Sequence, residues 1–336
     1  MKTLNSPVDL SSIDATIEQI ESMLADHFGD LGLKLGRPIV VRKNSKIFKA
    51  TIEATPSVEC AVKICFLPGT QLLDKISAKA QFRALERVAY ALMEHDAQHA
   101  VPKPLYLLPE LGTYVMEWVE GKSLTKKMQR PLTLLGASGE FERAGTWLGA
   151  FHSAGPLRHQ TVDLSHRLAV LDEVSGAALP VEIFLNAVSL LKRSAPGLAG
   201  RDVANSWLHG DCKSDNFILT RESIYGVDIA LIYENPIEFD IAMFLNHLGR
   251  LTLHPRYLYL LPLRKHFEQS FWRGYLRTGP AVSVPYLNWL RLEFLLSSWH
   301  TELHGHHPNF RSKVLNETFS ILAWRLSNDL EMQEAT

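Results

Sequence analysis

The sequence predicts an α+β protein in two parts, a small strand-rich part that ends near residue 120 and a mostly helical part after it. Two observations support this prediction. Apolar residues alternate with polar ones in several short runs between 38 and 119, which is typical of strands, and one amphipathic helix interrupts them at 75–95. After Gly121 the apolar residues recur mainly at the three- and four-residue spacing of helices. We therefore expect a helical extension over 1–35, a first lobe over 36–120 and a second lobe over 121–336.

The composition is that of an ordinary globular protein with 336 residues, of which 46% are hydrophobic and 21% charged. A formal net charge of -1 argues against nucleic acid as a partner, since such proteins carry a strongly basic surface. The 3 cysteines form no CxxC pair, the amino terminus lacks the apolar core of a signal peptide, and no apolar run suits a membrane helix. These features predict a cytoplasmic protein without a transmembrane segment.

The first lobe is expected to begin with strands. An amphipathic helix over 11–28 is followed by predicted strands at 39–41, 47–54 and 58–66. The last strand carries Lys63 among apolar residues, where a lysine is costly to bury without an anionic partner. The alternative is a lysine that guards a sheet edge against pairing, and the strand pattern alone leaves both possibilities open.

The remaining elements of this lobe are one helix and two strands. Glu86 lies beside the apolar stripe of the helix at 75–95, so it can face inward toward Lys63, although glutamate is more often exposed. Strands are predicted at 105–108 and 113–119, and the second runs into Gly121, which marks a hinge between the lobes. In the second lobe the apolar spacing predicts helices at 139–152, 181–193, 238–250, 263–276, 285–303 and 311–331.

The most informative stretch runs from Leu208 to Asp228. Two short apolar runs, separated by a polar turn, predict a hairpin that brings Asp211, Asn216 and Asp228 to one end. A carboxylate base together with amide and carboxylate oxygens as ligands of a hard cation is the set that phosphoryl transfer through Mg²⁺ requires.

These residues resemble a known family. His209-Gly210-Asp211 with Asn216 five positions later resembles the catalytic loop of the aminoglycoside phosphotransferase and choline kinase-like family, whose members share a protein-kinase-like two-lobed fold. Further segments are similar in the same order along the chain: Ala61-Val62-Lys63, Glu86, VMEWVEGKSL at 115–124, LGAFH at 148–152, Gly226-Val227-Asp228 and Asp240-Ile241-Ala242.

The resemblance implies an enzyme that uses ATP, or another nucleoside triphosphate, and Mg²⁺. Asp211 would take the proton of the acceptor hydroxyl, while Asn216 and Asp228 would hold the metal ion. Lys63 would bind the nucleotide phosphates in an ion pair with Glu86. Further nucleotide contacts are expected at Ala61, Met116, Glu117 and Val119.

Three neighbours of the catalytic residues complete the implied site. Lys213 would contact the transferred phosphate, the alternative being an exposed loop lysine. His209 and Asp240 would brace the loop, although an aspartate that caps a helix explains Asp240 equally well. The turn at 42–46 departs from the family because it lacks glycine, so that Ser45 and its basic neighbours would have to reach the phosphates. This departure favours, as an alternative, a nucleotide-binding regulatory module without catalysis.

The acceptor is expected to be a small molecule with a hydroxyl group that binds the second lobe. Between 250 and 291 there is one acid, Glu268, against seven basic residues, Arg250, Arg256, Arg264, Lys265, Arg273, Arg277 and Arg291. This balance favours a neutral or anionic sugar-like acceptor or metabolite over a polycationic aminoglycoside, unless the charges form a solvated face. The eleven residues between Asp228 and Asp240 leave little room for the activation segment of a protein kinase. His300 and His304 share a helix face but lack further metal ligands nearby.

Overall fold

The computed structural model describes residues 18, 20–23, 33–52, 57–95, 99–129, 134–176, 182–229, 233–303 and 310–334. Of the helix predicted at 11–28, only 18 and 20–23 are described, and these are helical; the rest of that prediction lies outside the described residues. The chain divides into two compact units, the first formed by 1–90 and 101–120 and the second by 91–100 and 121–336.

The described strands are β1 (Leu33–Val41), β2 (Ser45–Ile52), β3 (Val58–Cys65), β4 (His99–Ala100), β5 (Pro104–Leu108), β6 (Thr113–Glu117), β7 (Lys122–Ser123), β8 (Arg158–Thr161), β9 (Asp202–Leu208), β10 (Phe217–Leu219), β11 (Ile224–Gly226) and β12 (Tyr233–Pro236). The described α-helices are α1 (Lys75–His95), α2 (Leu124–Met128), α3 (Leu134–Ala154), α4 (Ser165–Gly176), α5 (Glu182–Ser194), α6 (Glu238–Leu253), α7 (Arg264–Thr278), α8 (Val284–Leu303) and α9 (Phe310–Glu334).

The first unit contains a five-stranded antiparallel sheet in the order β1-β2-β3-β6-β5. Its central strand β3 pairs with β2 on one side and with β6 on the other, so Lys63 lies opposite Tyr114 and Ala61 opposite Met116. Side chains from β2, β3 and β6, among them Phe48, Val62 and Val115, form a buried apolar core. Because β3 is an inner strand, the edge-strand explanation for Lys63 is wrong.

The second unit is mostly helical and has an aromatic core. Phe141 of α3 stacks on Phe267 at 4.5 Å, and Phe244 of α6 stacks on Phe271 at 4.4 Å. Helices α3 and α7 approach each other closely at Gly274 of α7. A Cβ added there would lie only 1.9 Å from the carbonyl oxygen of Glu142 on α3. Glycine at this position lets the backbones of α3 and α7 touch.

Two small sheets complete the second unit. One has the order β4-β11-β10-β7 and contains the predicted hairpin, and the other has the order β12-β9-β8. The predicted α+β class is confirmed. The sequence did not predict α4, because the apolar residues of SHRLAVLDEVSG spread around the helix instead of forming a stripe. Within the described part of the chain no helix is both long and apolar enough to cross a membrane.

Candidate active site

The segment from β9 to Asp228 forms one continuous scaffold in the second unit. After β9 the chain passes through a loop at 209–213 and a 3₁₀ turn at Ser214–Asn216 into the β10–β11 hairpin. Phe217 pairs with Gly226, and the Val227 amide donates to the Asn216 carbonyl at 2.9 Å. This register fixes Asn216 beside the chain that leads to Asp228, as the hairpin prediction requires.

Asp240 holds the start of the loop. Its carboxylate accepts hydrogen bonds from the His209 amide at 2.6 Å and the Gly210 amide at 3.0 Å, and lies 3.2 Å from Nε2 of His152. Helix α6 has Ile237 at its N-cap position, so the Asp240 side chain serves the loop amides and does not cap the helix. Gly210 has a φ of 76, a conformation that glycine adopts without strain.

His209 is buried and links the two ends of the scaffold. Its Nδ1 accepts from the Asp211 amide at 3.4 Å, and its Nε2 lies 3.1 Å from the Val227 carbonyl oxygen. This pattern selects the tautomer with hydrogen on Nε2, which donates to Val227. Because both ring nitrogens of His209 contact the backbone, its side chain positions the loop. The Asp211 carboxylate is then the loop group available for chemistry.

Asp211 is half-buried and is held by two side chains. Lys213 Nζ donates to Oδ2 at 2.5 Å, and Asn216 Nδ2 donates to the same oxygen at 3.1 Å and to the Asp211 carbonyl at 2.8 Å. These contacts fix the side-chain orientation, and the ammonium group places a positive charge beside the carboxylate. A carboxylate oriented in this way can accept a proton from a hydroxyl group.

The residues expected to hold Mg²⁺ fit a hard cation. Since Asn216 donates through Nδ2, its Oδ1, for which the described residues offer no donor, is the oxygen suited to a cation. Asp228 has a φ of 66 and is the one non-glycine residue with positive φ in the described ranges. Such strained backbone occurs where a side chain must be aimed at a particular point.

In the first unit Lys63 is buried, whereas Glu86 is exposed. Lys63 is buried on β3, with Nζ 5.9 Å from the centroid of the Tyr114 ring. Glu86 is exposed on α1, so the expectation that it faces inward is wrong. Ala78, Leu85 and Leu92 define the buried face of the helix, and a residue one position past Leu85 turns about 100° away from it.

Gln81 occupies the inner side of α1 instead. Its Oε1 accepts a hydrogen bond from the Tyr114 hydroxyl at 3.3 Å, and it lies 3.9 Å from the Cys65 sulfur. The sequence did not indicate Gln81 because an uncharged glutamine can be either buried or exposed. Gln81 nevertheless lies four residues before Leu85, on the same helix face.

The other residues expected to contact nucleotide lie on or beside the first-unit sheet. Ala61 is buried, whereas Met116, Glu117 and Val119 are half-buried. Glu117 is engaged through its carboxylate, which accepts from the Lys103 amide at 3.1 Å. In the glycine-free turn, the Phe66 amide donates to the Asn44 carbonyl at 2.8 Å, and Ser45 is buried.

His247 lies beside the loop and was not singled out from the sequence. It lies two turns after Asp240 on α6, and its Nε2 is 3.7 Å from Oδ2 of Asp215 in the 3₁₀ turn. Burial, reinforced by Arg250 and Lys213 and opposed by Asp215 and Asp211, lowers the pKa of His247 to about 4. The seven-residue spacing from Asp240, which places both residues on one helix face, is the signal that identifies it.

Most of the basic residues between 250 and 291 are paired. Glu142 of α3, outside that window, binds Arg277 at 2.9 Å and Arg273 at 3.5 Å. Glu268 lies 3.4 Å from Arg264 and 3.6 Å from Arg291. His300 is half-buried on α8, and His304 lies outside the described residues. The described part of the chain contains no cluster of three or more His, Cys, Asp or Glu placed to hold a metal.

The fold and the scaffold define a protein of the kinase-like class, with a small antiparallel sheet and its helix followed by a helical part that carries an HGD loop. Comparison with known proteins identifies the family. The model of the phosphotransferase enzyme family matches residues 68–281, and the chain belongs to this family. No curated protein matches the sequence.

Solved structures share the fold at low sequence identity. A choline/ethanolamine kinase family protein from Mesorhizobium loti is 15% identical with a TM-score of 0.59, and the match covers 94% of this chain and 99% of that one. An amicoumacin kinase, solved in complex with AMP-PNP, Ca²⁺ and Ami, is 14% identical, with a TM-score of 0.58 and coverages of 95% and 96%. Aminoglycoside phosphotransferase APH(4)-Ia is 11% identical, with a TM-score of 0.57 and coverages of 93% and 98%.

Proposed function

We propose that this protein transfers the γ-phosphoryl group of ATP, with Mg²⁺, to a hydroxyl group of a small molecule. The observation that carries the proposal is the fixed orientation of Asp211, whose oxygens receive hydrogen bonds from Lys213 and Asn216 on a loop held by Asp240. Phosphoryl transfer depends mainly on positioning and charge neutralisation, and this arrangement supplies both.

Each residue of the loop has a distinct role in this reaction. Asp211 orients the acceptor hydroxyl and takes its proton late in the transfer. The Lys213 ammonium, already beside Asp211, offers positive charge to the phosphoryl oxygens as negative charge develops on them. Asn216 Oδ1 and Asp228 would hold Mg²⁺, which would supply positive charge to the phosphate oxygens.

Lys63 binds the nucleotide phosphates in this proposal. Its support in the first unit comes from Tyr114 opposite it on β6 and from Gln81, which accepts the Tyr114 hydroxyl hydrogen bond. The tyrosine ring offers a weak attraction to the ammonium group without neutralising its charge. An exposed Glu86 contributes to this role only if α1 turns on nucleotide binding.

The acceptor is a neutral or anionic sugar-like molecule or metabolite in our proposal, in preference to a polycationic aminoglycoside. Pairing of four basic residues with Glu142 and Glu268 neutralises much of the predicted positive excess. The same pairing also engages both of these acids, so neither is left to receive the amino groups of an aminoglycoside.

A regulatory nucleotide-binding module is the second candidate, favoured by the glycine-free turn at 42–46. Steady-state ADP release with Mg²⁺-ATP, measured with a panel of sugars, hydroxy acids, amino alcohols and aminoglycosides, separates the two. Acceptor-dependent ADP release supports the kinase. A Mg²⁺-dependent rise in melting temperature with ATP, but no ADP release with any acceptor or with water, supports the module, and no response to nucleotide contradicts both.

A further inference from the structure

A cavity of about 230 Å³ lies in the second unit between α6 and α8. One part of its lining is apolar, from Met243 and Phe294, and the rest is polar, from Asn246, Arg250, Ser297 and Ser298. Since one water occupies about 30 Å³ in the liquid, the space holds a small organic group as well as a few waters.

Arg250 differs from the four arginines that pair with Glu142 or Glu268, and its partial burial also distinguishes it from the exposed Arg256 and Lys265. Its guanidinium lies 6.0 Å from the centroid of the Phe319 ring and makes no hydrogen bond or ion pair with any described residue. The side chain is half-buried, and burial lowers the pKa of Arg250 from its ordinary value. Glu302, the acid whose charge acts on it, is exposed and forms no ion pair with it. A cation held in this way retains unused donors beside the cavity.

The other described polar groups of the lining form no hydrogen bond with the Arg250 guanidinium. Asn246 Nδ2 is used by the Arg291 carbonyl at 2.7 Å, and the Ser297 hydroxyl is used by Glu293 at 3.1 Å. The Ser298 hydroxyl makes no hydrogen bond within the described ranges. The lining therefore presents one unpaired positive charge and one open hydroxyl, and no carboxylate.

The cavity also lies next to the catalytic loop. Met243, His247 and Arg250 follow Asp240 along one face of α6. His247 lies 3.7 Å from Asp215, and its pKa responds to the charges of Arg250 on one side and of Lys213 and Asp211 on the other. Arg250 therefore lies on the helix face that also carries His247, which is 3.7 Å from Asp215 of the 3₁₀ turn.

We propose that this cavity binds an anionic group of the acceptor, a carboxylate or a phosphate, and that the Arg250 guanidinium recognises it. This inference rests on the proposed function and deepens it, because it assigns the acceptor to the class of negatively charged hydroxyl compounds. Arginine suits the role since its planar fork matches two oxygens of either group.

The test measures binding of three probes that share a scaffold, namely glycerol, glycerate and glycerol 3-phosphate, to the full chain without nucleotide by ligand-observed NMR titration. We expect at least one anionic probe to bind about tenfold or more tighter than glycerol, as a charge-assisted hydrogen bond allows. Comparison of glycerate with glycerol 3-phosphate decides between carboxylate and phosphate.

Variants identify the residue responsible. Arg250→Met should remove the preference for the anionic probe, whereas Arg193→Met, which deletes an exposed charge on α5, should leave it unchanged. Lys63→Met should also leave it unchanged, which excludes binding at the expected nucleotide site. Should Arg250→Met fail to fold, Ser298→Asp introduces a competing carboxylate into the cavity while Arg250 stays in place, and it should abolish the preference as well.

Two results would overturn the inference: equal binding of all three probes to the wild-type chain, or a preference for anions that survives in both Arg250→Met and Ser298→Asp. Failure of the proposed function is seen separately. It shows as absence of acceptor-dependent ADP release, and the probe titrations contain no nucleotide and do not depend on catalysis.

Discussion

The catalytic loop of the second unit and the lysine strand of the first differ in how the chain positions its functional groups. In the loop, Asp211, Asn216 and Asp228 lie within eighteen residues, and a short hairpin fixes their order in space. In the first unit, Lys63 and Glu86 lie on separate elements, and their meeting depends on the rotation of α1 about its axis. The local arrangement follows the sequence pattern, whereas the Glu86 orientation does not. Site residues joined by one hairpin are therefore safer to infer than residues joined by packing.

The largest effect on turnover is expected from Asp228, one of the two residues expected to bind the metal. Asp228→Ala should lose nearly all ADP release with any acceptor, because Mg²⁺ loses a charged ligand and the phosphate oxygens lose their counter-charge. Turnover is measured at saturating Mg²⁺ and ATP, with Glu222→Ala, an exposed residue in the same hairpin, as the control. Turnover near the wild-type value in Asp228→Ala would remove this residue from the metal site.

Asp211→Ala should reduce kcat about 10²–10⁴-fold, which is the usual range for loss of a general base. Asp215→Ala, in the adjacent 3₁₀ turn and exposed, serves as the matched control and should lose far less. The measurement is kcat at saturating acceptor, together with a melting curve to show that each variant folds. Equal losses in both variants would mean that the loop carboxylates are interchangeable, which contradicts the assigned role.

Asp240→Ala tests how firmly the loop is held. It leaves the His209 and Gly210 amides and the buried His152 ring without their acceptor, so we expect the free energy of unfolding to fall by about 3 kcal/mol. Urea denaturation measures this quantity, and Asp163→Ala, an exposed carboxylate, is the control. An unchanged midpoint would show that solvent replaces the carboxylate at little cost.

Glu238, two residues before Asp240, contrasts with it because one of its oxygens lacks a partner in the described chain. Burial raises the pKa of Glu238 to about 7, while the Ser283 amide opposes this shift. The folded protein then binds a proton that the unfolded chain releases near its ordinary pKa, so stability falls as pH rises from about 5 to 8, on the order of 2 to 3 kcal/mol. Glu238→Gln should flatten this part of the pH profile of unfolding, and an identical slope in the variant would contradict the assignment.

The smallest effect is expected from Glu86, and it sharpens the comparison between the units. Since the side chain is exposed, Glu86→Ala should change kcat/KM for ATP less than about twofold, within the range of surface substitutions. Gln81→Ala should raise the KM for ATP more, because the Tyr114 hydroxyl loses its acceptor. A large loss in Glu86→Ala alone would show that α1 turns and brings this glutamate to Lys63 during catalysis.

Much of the fold was predictable because its elements carry strong periodic patterns. Helix α1 runs over 75–95 as the pattern predicts, and the elements after residue 121 are mostly helical. The unpredicted α4 and β8 lack a one-sided apolar pattern, since β8 is exposed along its length. Their positions come from packing and pairing with distant parts of the chain.

The candidate site shows the same difference between local contacts and contacts with distant parts of the chain. The HGD loop and its hairpin depend on contacts a few residues apart, which spacing reveals. His247 depends on the path of α6 over the loop, and the isolation of Arg250 depends on which acids the neighbouring arginines meet, including Glu142 on another helix. Net charge over a sequence window cannot distinguish a paired arginine from an unpaired one.

The left-handed backbone at Asp228 has a consequence for how substitutions at this position should be scored. Aspartate carries a conformational cost there that glycine does not, while glycine loses more entropy on folding, and the two terms are each of order 1 kcal/mol. As far as backbone preference goes, Asp228→Gly should therefore be close to neutral for stability while it removes the carboxylate. A screen for heat-resistant variants reports on folding alone, so a library built on this chain needs a readout of turnover beside one of folding.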